Sequence, residues 1–254
     1  MTQYDQFSSD YHWLYSDRTL SCEPFLEQYG ALLDAIPSDA KVLDCACGIG
    51  IQALTLARRG FSVQGTDLSP GMIARARERG REERMTLPPG GLSFTVSTWE
   101  ALPRRFHHEF DVAFCVGNAI GHCRNRKDMC LSLSGIYHSL KRGGQVVIDS
   151  RNWEKVLAER VRLTILGIRI RNRIQSVPLY VWHFPSELEE GHLLIEIILI
   201  FKEAEQIYHR YYPFVYHPFR RETLCDCLRE AGFTGIQSDF EREEDVYHIT
   251  ARKP

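Results

Sequence analysis

The hydrophobic pattern alternates between helical spacing and short continuous apolar runs from residue 25 to residue 149. Phe25, Leu26, Tyr29, Leu32, Leu33 and Ile36 recur at helical intervals, and Pro37 closes that run. Val42 and Leu43 suit a buried strand. Residues 51–59 carry Leu54, Leu56 and Ala57 at near-helical spacing, with Gly60 as a natural stop, and 61–65 reads as a second strand. A helix is expected over 70–84, with Met72, Ile73 and Ala76 on one side and Arg75, Arg77, Arg79, Arg81 and Arg84 on a solvated face. Pro88-Pro89-Gly90-Gly91 is a loop, and 92–96 a third strand. Residues 110–116 are almost continuously apolar, as a strand buried on both faces requires. A helix over 128–140, a turn at 141–144 and a fifth strand over 145–149 follow. Strands alternating with helices predict an α/β fold built on a parallel sheet.

After Trp153 the alternation stops. Residues 160–174, 178–184 and 193–212 read as three long strands rich in β-branched and aromatic residues, with a hairpin-like turn at 187–191. They predict an antiparallel subdomain, inserted after the fifth strand, that roofs the substrate pocket. Arg169, Arg171 and Arg173 alternate and are expected to share one wet face. A helix over 222–231, stopped by Gly232, and two strands over 235–240 and 246–252 complete the chain. The expected division is a lid segment over 1–37, a cofactor-binding core over 38–153 and 213–254, and the insertion over 154–212.

The chemistry concentrates on one stretch. Lys41 to Leu68 reads strand, glycine-rich turn, helix, strand, acid, which is a parallel βαβ unit with a nucleotide-sized crevice at its strand ends. Gly48 and Gly50 permit a tight turn and close approach of backbone to a ligand. Asp67, just past the second strand, can accept from both hydroxyls of a ribose. Gly48-Ile-Gly50-Ile-Gln-Ala53 fits the G-x-G-x-x-A dinucleotide fingerprint. Asp44 favours S-adenosylmethionine instead: an anion just before the turn repels a pyrophosphate and suits an ammonium and a sulfonium. Trp99, past the third strand, could stack on an adenine, with Thr98 as a polar contact to the ring edge. Asn118 and Arg151 come from the ends of the fourth and fifth strands and are expected in one pocket, where Arg suits a bidentate grip on a carboxylate. Tyr4, Tyr11, Trp13 and Tyr15 either pack on the core or fold over the crevice, where aromatic faces attract a sulfonium. Tyr180, Tyr208, Tyr211 and Tyr212 are candidate pocket hydroxyls.

Composition narrows the partners. Charged residues make up 25% of the chain and the net charge is −2, so no polyanionic partner is expected. The start, Met-Thr-Gln-Tyr-Asp-Gln, has neither the basic nor the apolar region of a signal peptide. The longest apolar run, 193–201, is too short to span a bilayer and contains Glu196. Eight cysteines without a secretory signal read as reduced thiols in a cytoplasmic protein. Cys45-x-Cys47 and Cys225-x-Cys227 lack zinc-site spacing, and no metal is expected.

Val42-Leu-Asp-Cys-Ala-Cys-Gly-Ile-Gly50, with Asp67-Leu-Ser-x-x-Met72, resembles the first two motifs of class I methyltransferases. Thr98-Trp99, Cys115-Val-Gly-Asn-Ala-Ile-Gly-His122, Val147-Ile-Asp-Ser-Arg-Asn152 and Tyr211-Tyr-Pro213 resemble the glycine and glycine/sarcosine N-methyltransferases. The resemblance implies a Rossmann-like sheet with an antiparallel final edge strand. It implies S-adenosylmethionine as cofactor, S-adenosylhomocysteine as product, and N-methylation of glycine or sarcosine. By the same resemblance Asn118 and Arg151 hold the substrate carboxylate. Ala46, Asp67, Thr98, Trp99, Val116 and His122 line the cofactor site, joined by Asp44, Gly48, Gly50, Leu68 and Met72 from the motifs and by Tyr4 and Trp13 more loosely. Residues 154–208 match the family weakly, which leaves open a class I methyltransferase acting on another small amine, acid or natural product. A small-molecule substrate is expected, with no nucleic acid or membrane partner, and a homo-oligomer is possible.

Overall fold

The computed structural model describes residues 3–83, 91–189 and 191–254. The chain opens with α1 (Gln3–Phe7), a 3-10 turn over Tyr11–Leu14 and α2 (Asp17–Leu20), then α3 (Glu23–Asp34). With Pro24 in its first turn, α3 buries Phe25, Tyr29 and Leu33, a stripe at helical spacing. The βαβ unit follows as β1 (Lys41–Asp44), α4 (Ile51–Arg58) and β2 (Ser62–Asp67). Next come α5 (Pro70–Glu82), β3 (Leu92–Val96), β4 (Phe110–Cys115), α6 (Arg126–Ser139) and β5 (Leu140–Arg151). Ser69 caps α5 by accepting from the Met72 amide, and Asn125 caps α6 by accepting from that of Asp128. Met72, Ile73 and Ala76 are buried under α5, and Arg75, Arg77 and Arg81 are exposed on its outer side. Arg84, the Pro88-Pro89-Gly90 part of the expected loop, and Glu190 of the expected turn lie outside the described residues.

α7 (Trp153–Glu159) follows β5. Then come β6 (Leu163–Ile165), β7 (Arg169–Arg171), β8 (Ile174–His183), β9 (Leu193–Glu203), β10 (Gln206–Tyr216), α8 (Arg221–Ala231), β11 (Thr234–Ser238) and β12 (Val246–Arg252). One sheet has the order β11-β12-β5-β4-β1-β2-β3. Its strands from β3 through β5 are parallel, while β12 runs antiparallel to β5, and β11 to β12. This is the Rossmann-like arrangement with an antiparallel edge. The strand order reverses between β1 and β4, which opens a crevice at their C-terminal ends. Val42, Leu43, Ala113 and Phe114 are fully buried at its base.

The insertion departs from expectation in three ways. It holds five antiparallel strands rather than three, ordered β10-β9-β8-β6 with β7 beside β8. The expected single strand over 160–174 is broken by left-handed backbone at Gly167 (φ +81°) and again at Asn172 and Arg173. The expected run over 193–212 folds back at Ala204, whose φ of 50° makes a hairpin without a glycine or asparagine to announce it. Of the three alternating arginines, Arg173 is exposed as expected, but Arg169 and Arg171 turn inward. Arg171 donates to the Tyr15 carbonyl and to Asp17 and lies over the Trp13 ring, and Arg169 reaches the Leu14 carbonyl. Ile168 and Ile170 take the outer positions, each 65% exposed.

Cysteine usage also differs. Six cysteines are free and buried, as the reduced reading expects. Cys130 and Cys227 form a disulfide joining α6 to α8, with Cα atoms 4.8 Å apart and a sequence separation of 97.

Candidate active site

The crevice is built from strand ends. Past β1 the chain turns through Gly48 (φ +52°) and Gly50 (φ +83°) into α4, conformations that a side chain would strain. Asp67 locks this turn: one oxygen accepts from the Gly48 amide (2.9 Å), the other from that of Ser69 (2.8 Å). Asp44 lies beneath it, 1% exposed, and among the described residues neither of its oxygens has a hydrogen-bond partner. Burial, then the nearby Asp67 charge, pushes its carboxyl up to about 7, opposed weakly by the Ala46 and Ala53 amides. A buried carboxylate without a donor is costly unless a cation completes it. A nucleotide with a pyrophosphate would add two like charges here, whereas the ammonium of S-adenosylmethionine supplies the missing donors. The residues present therefore fit that cofactor.

Around this floor the structure sorts the expected contacts. Trp99 donates from its indole nitrogen to the Cys45 carbonyl (2.6 Å), which fixes the ring beside the end of β1. Thr98 is exposed, its hydroxyl oxygen accepting from the Ala101 amide, and Leu68 is 56% exposed at the rim. Ala46 is half-buried in the turn, and Val116 is buried at the end of β4. Met72 lies in the core, 1% exposed, so its side chain is packed beneath α5 and offers no surface to the crevice.

Asn118 and Arg151 meet as expected. Asp149 accepts from the Gly117 and Asn118 amides (2.8 and 2.6 Å), which holds Asn118 in left-handed backbone at φ 58°. The Asn118 side-chain oxygen then accepts from the Arg151 amide at 3.0 Å. The Arg151 guanidinium lies 5.0 Å from the centroid of Trp182 and 6.0 Å from that of Trp153. Its Nε is buried without an acceptor, and among the described residues Arg151 has no ion-pair partner. A positive charge set between aromatic rings, with Asp149 nearby but no ion pair formed, can receive an anion.

Tyrosines surround it. Burial, the largest cause in each case, raises the phenols of Tyr15 (to about 12), Tyr180 and Tyr216, so all three are protonated donors; the Arg151 charge pulls Tyr180 and Tyr216 the other way. Tyr15 donates to the Tyr11 hydroxyl (2.6 Å), and the Tyr11 ring stands 3.6 Å from where a Cβ on Gly48 would lie. The Tyr4 hydroxyl is 2.7 Å from His122 Nε2, and the His122 ring lies 4.1 Å from that of Tyr216. Burial pushes His122 down to about 4, so the imidazole is neutral where it meets the Tyr4 hydroxyl.

Four expected residues lie elsewhere. Trp13 packs against Phe201 and Arg171, under the five-stranded sheet and not at the glycine turn. Tyr212 donates to Asp10 (2.5 Å), beside the Arg210–Asp10 ion pair, and so anchors the N-terminal segment. Tyr211 points outward, donating to Glu196, and Tyr208 donates to Glu203 at the far end of its hairpin. Tyr216 and Trp182 were not singled out from the sequence. Their signal was available in strand alternation, since Tyr180 with Trp182, and Tyr212 with Tyr216, occupy same-face positions. The N-terminal segment is held at a second point as well. Asp5 accepts from the Ser69 hydroxyl (2.5 Å) and the Gly71 amide (3.0 Å) at the start of α5.

Among the described residues no group of three or more His, Cys, Asp or Glu could hold a metal, and no helix is long and apolar enough to cross a membrane.

Comparison with known proteins agrees with this geometry. Residues 42–144 match the methyltransferase domain family. The chain is similar to a glycine/sarcosine N-methyltransferase of Parasynechococcus marenigrum, 28% identical over 220 residues, covering 84% of this chain and 71% of that protein. It is 27% identical over 219 residues to a glycine/sarcosine/dimethylglycine N-methyltransferase of Actinopolyspora halophila, a match that spans only 36% of that longer protein. In fold it is similar to an S-adenosylmethionine-dependent methyltransferase from Clostridium acetobutylicum, with a TM-score of 0.74, 15% identity and 99% of each chain covered. The chain is a class I S-adenosylmethionine-dependent methyltransferase related to the glycine and glycine/sarcosine N-methyltransferases.

Proposed function

We propose that the chain methylates the amine nitrogen of a small amino acid of the glycine and sarcosine class. One observation carries the reading: Arg151 stands at the reacting edge of the crevice, between Trp182 and Trp153, with its Nε buried without an acceptor and, among the described residues, no ion-pair partner. The names of the Parasynechococcus and Actinopolyspora relatives support the same substrate class.

In this reading Asp44 holds the cofactor's ammonium, Asp67 its ribose and Trp99 one side of its adenine. The bound cofactor supplies an electrophilic methyl on a sulfonium. Arg151 grips the substrate carboxylate, and the Asn118 amide group, whose oxygen is committed to the Arg151 backbone, offers its NH₂ to the same ligand. Tyr180 and Tyr216, kept protonated by burial, add donors to that end and none to the amine. The amine is thereby left to point along the methyl–sulfur axis. Such positioning is worth roughly 7–11 kcal/mol of barrier. His122, depressed to about 4, is too weak a base to take the excess proton, which leaves to water. The residues over 1–37 act as a lid in this scheme, with Tyr11 closing on the glycine turn.

The test is methyl transfer from labelled S-adenosylmethionine to glycine, sarcosine, dimethylglycine and carboxylate-free amines, with Arg151→Ala and Arg151→Lys alongside. Turnover of glycine or sarcosine is expected, with KM raised about 100-fold or more in Arg151→Ala, the loss of a charge-assisted pair worth about 3 kcal/mol. Equal turnover of a carboxylate-free amine by wild type and Arg151→Ala refutes the reading.

A further inference from the structure

The five-stranded sheet has two apolar faces, and the active site uses only one of them. Cross-strand register places Trp182, Ile195 and Phe214 on the inner face. The opposite set, which includes Ile165, Ile170, Ile200, Ile207, Tyr211 and Val215, is between 40% and 73% exposed. An antiparallel sheet that meets water normally alternates apolar with polar residues. Here most outward positions are apolar as well, with Gln175, His183, Glu196, Lys202 and His209 as the polar exceptions.

The outer face carries few charged or titratable groups: Lys202 and His209 toward its Ala204 end, and His183 and Glu196 nearer its middle. Glu196, the acid at its middle, is held by His183 (2.9 Å) and by the Tyr211 hydroxyl (2.7 Å), so its charge is already met within the face. Dehydrating the surface therefore leaves no carboxylate stranded. Its size is suited to a partner. Strands β8, β9 and β10 are 10, 11 and 11 residues long, and β6 and β7 share a fourth place beside them. With strands about 4.8 Å apart and rising about 3.3 Å per residue, the footprint is about 700 Å², near the roughly 800 Å² that each partner buries in a stable complex.

We propose that this face packs on the same face of a second copy of the chain, forming a two-fold dimer through two sheets stacked face to face. A twisted pleated surface is complementary in shape to another of its kind, and closed two-fold pairing is the commonest symmetry of homo-oligomers. The dimer braces the roof from behind, because the strands that carry Tyr180, Trp182 and Tyr216 inward carry the interface outward. The inference is independent of which amine is methylated.

Sedimentation equilibrium of the full chain tests it, with Ile200→Glu and Ile207→Lys as variants and binding of S-adenosylhomocysteine as the check on folding. Wild type is expected at twice the 29.4 kDa chain mass down to low micromolar concentration. Each variant, counted twice across the two-fold, is expected to weaken association at least on the order of 100-fold and to sediment at the chain mass while still binding S-adenosylhomocysteine. Should Ile200→Glu fail to fold, Ile207→Lys, 73% exposed on the outermost strand, carries the test. Wild type at the chain mass throughout, dimers unaffected by either folded variant, or a monomer that floats with phospholipid vesicles through this face would each overturn the proposal.

Discussion

Replacing Asp44 with Asn separates the needs of the empty crevice from those of the loaded one. Asp44 is raised from 3.8 to about 7, chiefly by burial and then by Asp67. Ionising it in place therefore costs about 4 kcal/mol. The sign follows from the direction: a carboxyl raised by folding contributes stability that is whole below its unfolded value near 3.9 and is lost as pH rises through about 7. Ligand-free protein therefore weakens across that window, and Asp44→Asn abolishes the weakening. Binding runs the other way. Below pH 7 an ammonium ligand must displace the Asp44 proton, so affinity falls about tenfold per pH unit and is about 30-fold below its plateau at pH 5.5. Above roughly pH 8 the ligand's own amine loses its charge and affinity falls again. Isothermal titration calorimetry with S-adenosylhomocysteine from pH 5.5 to 9 reads this curve, and buffers of different ionisation enthalpy count the proton. Asp44→Asn is expected to bind on the order of 10- to 100-fold more weakly at the plateau, with no acid limb, while unfolding at higher temperature when empty. Wild-type affinity and an unchanged acid limb in the variant would refute the assignment of Asp44 to the ammonium.

Gly135→Ala puts a Cβ 2.1 Å from the Trp99 carbonyl oxygen, which is backbone and cannot swing aside; α6 must shift, and urea denaturation should show a loss of about 3 kcal/mol together with weaker cofactor binding. Gly65→Ala meets the Phe94 ring at 2.5 Å and Cys47 Sγ at 3.1 Å inside the βαβ unit, and a loss of about 1–3 kcal/mol is expected in the same assay. Asp10→Asn removes the anion shared by Arg210 and Tyr212, and limited proteolysis should cleave the N-terminal segment at least several-fold faster, with the core left intact.

The parallel sheet could be read because its signals are local. Strands buried on both faces are continuous apolar runs, and Gly48, Gly60 and Gly232 punctuate them as turns and stops. Asn118 and Arg151 could be placed together because they follow consecutive strands, β4 and β5, which pair in parallel and end side by side. The insertion was harder for the same physical reason. Its turn at Ala204 is a left-handed position held by an ordinary residue that composition does not mark, and at the other reversal Asn172 is the single local cue, followed by Arg173 in the same backbone. The arginines on β7 were assigned to water because charge favours water. Their partners, the Tyr15 carbonyl, Asp17 and the Trp13 ring, lie some 155 residues earlier and are visible only once the chain is folded. Tyr212 was misplaced similarly, since its direction depends on Asp10.

The N-terminal segment is moored on two banks, by Asp5 to the start of α5 and by Asp10 to β10. A strap fastened at both ends links the two compartments thermodynamically. Whichever ligand arrives first bears the work of loosening and refastening it, and the second finds that work done. Cofactor and amine should therefore each tighten the other's binding by the same factor, since linkage is reciprocal. Cutting one mooring should abolish that mutual gain before it abolishes either affinity.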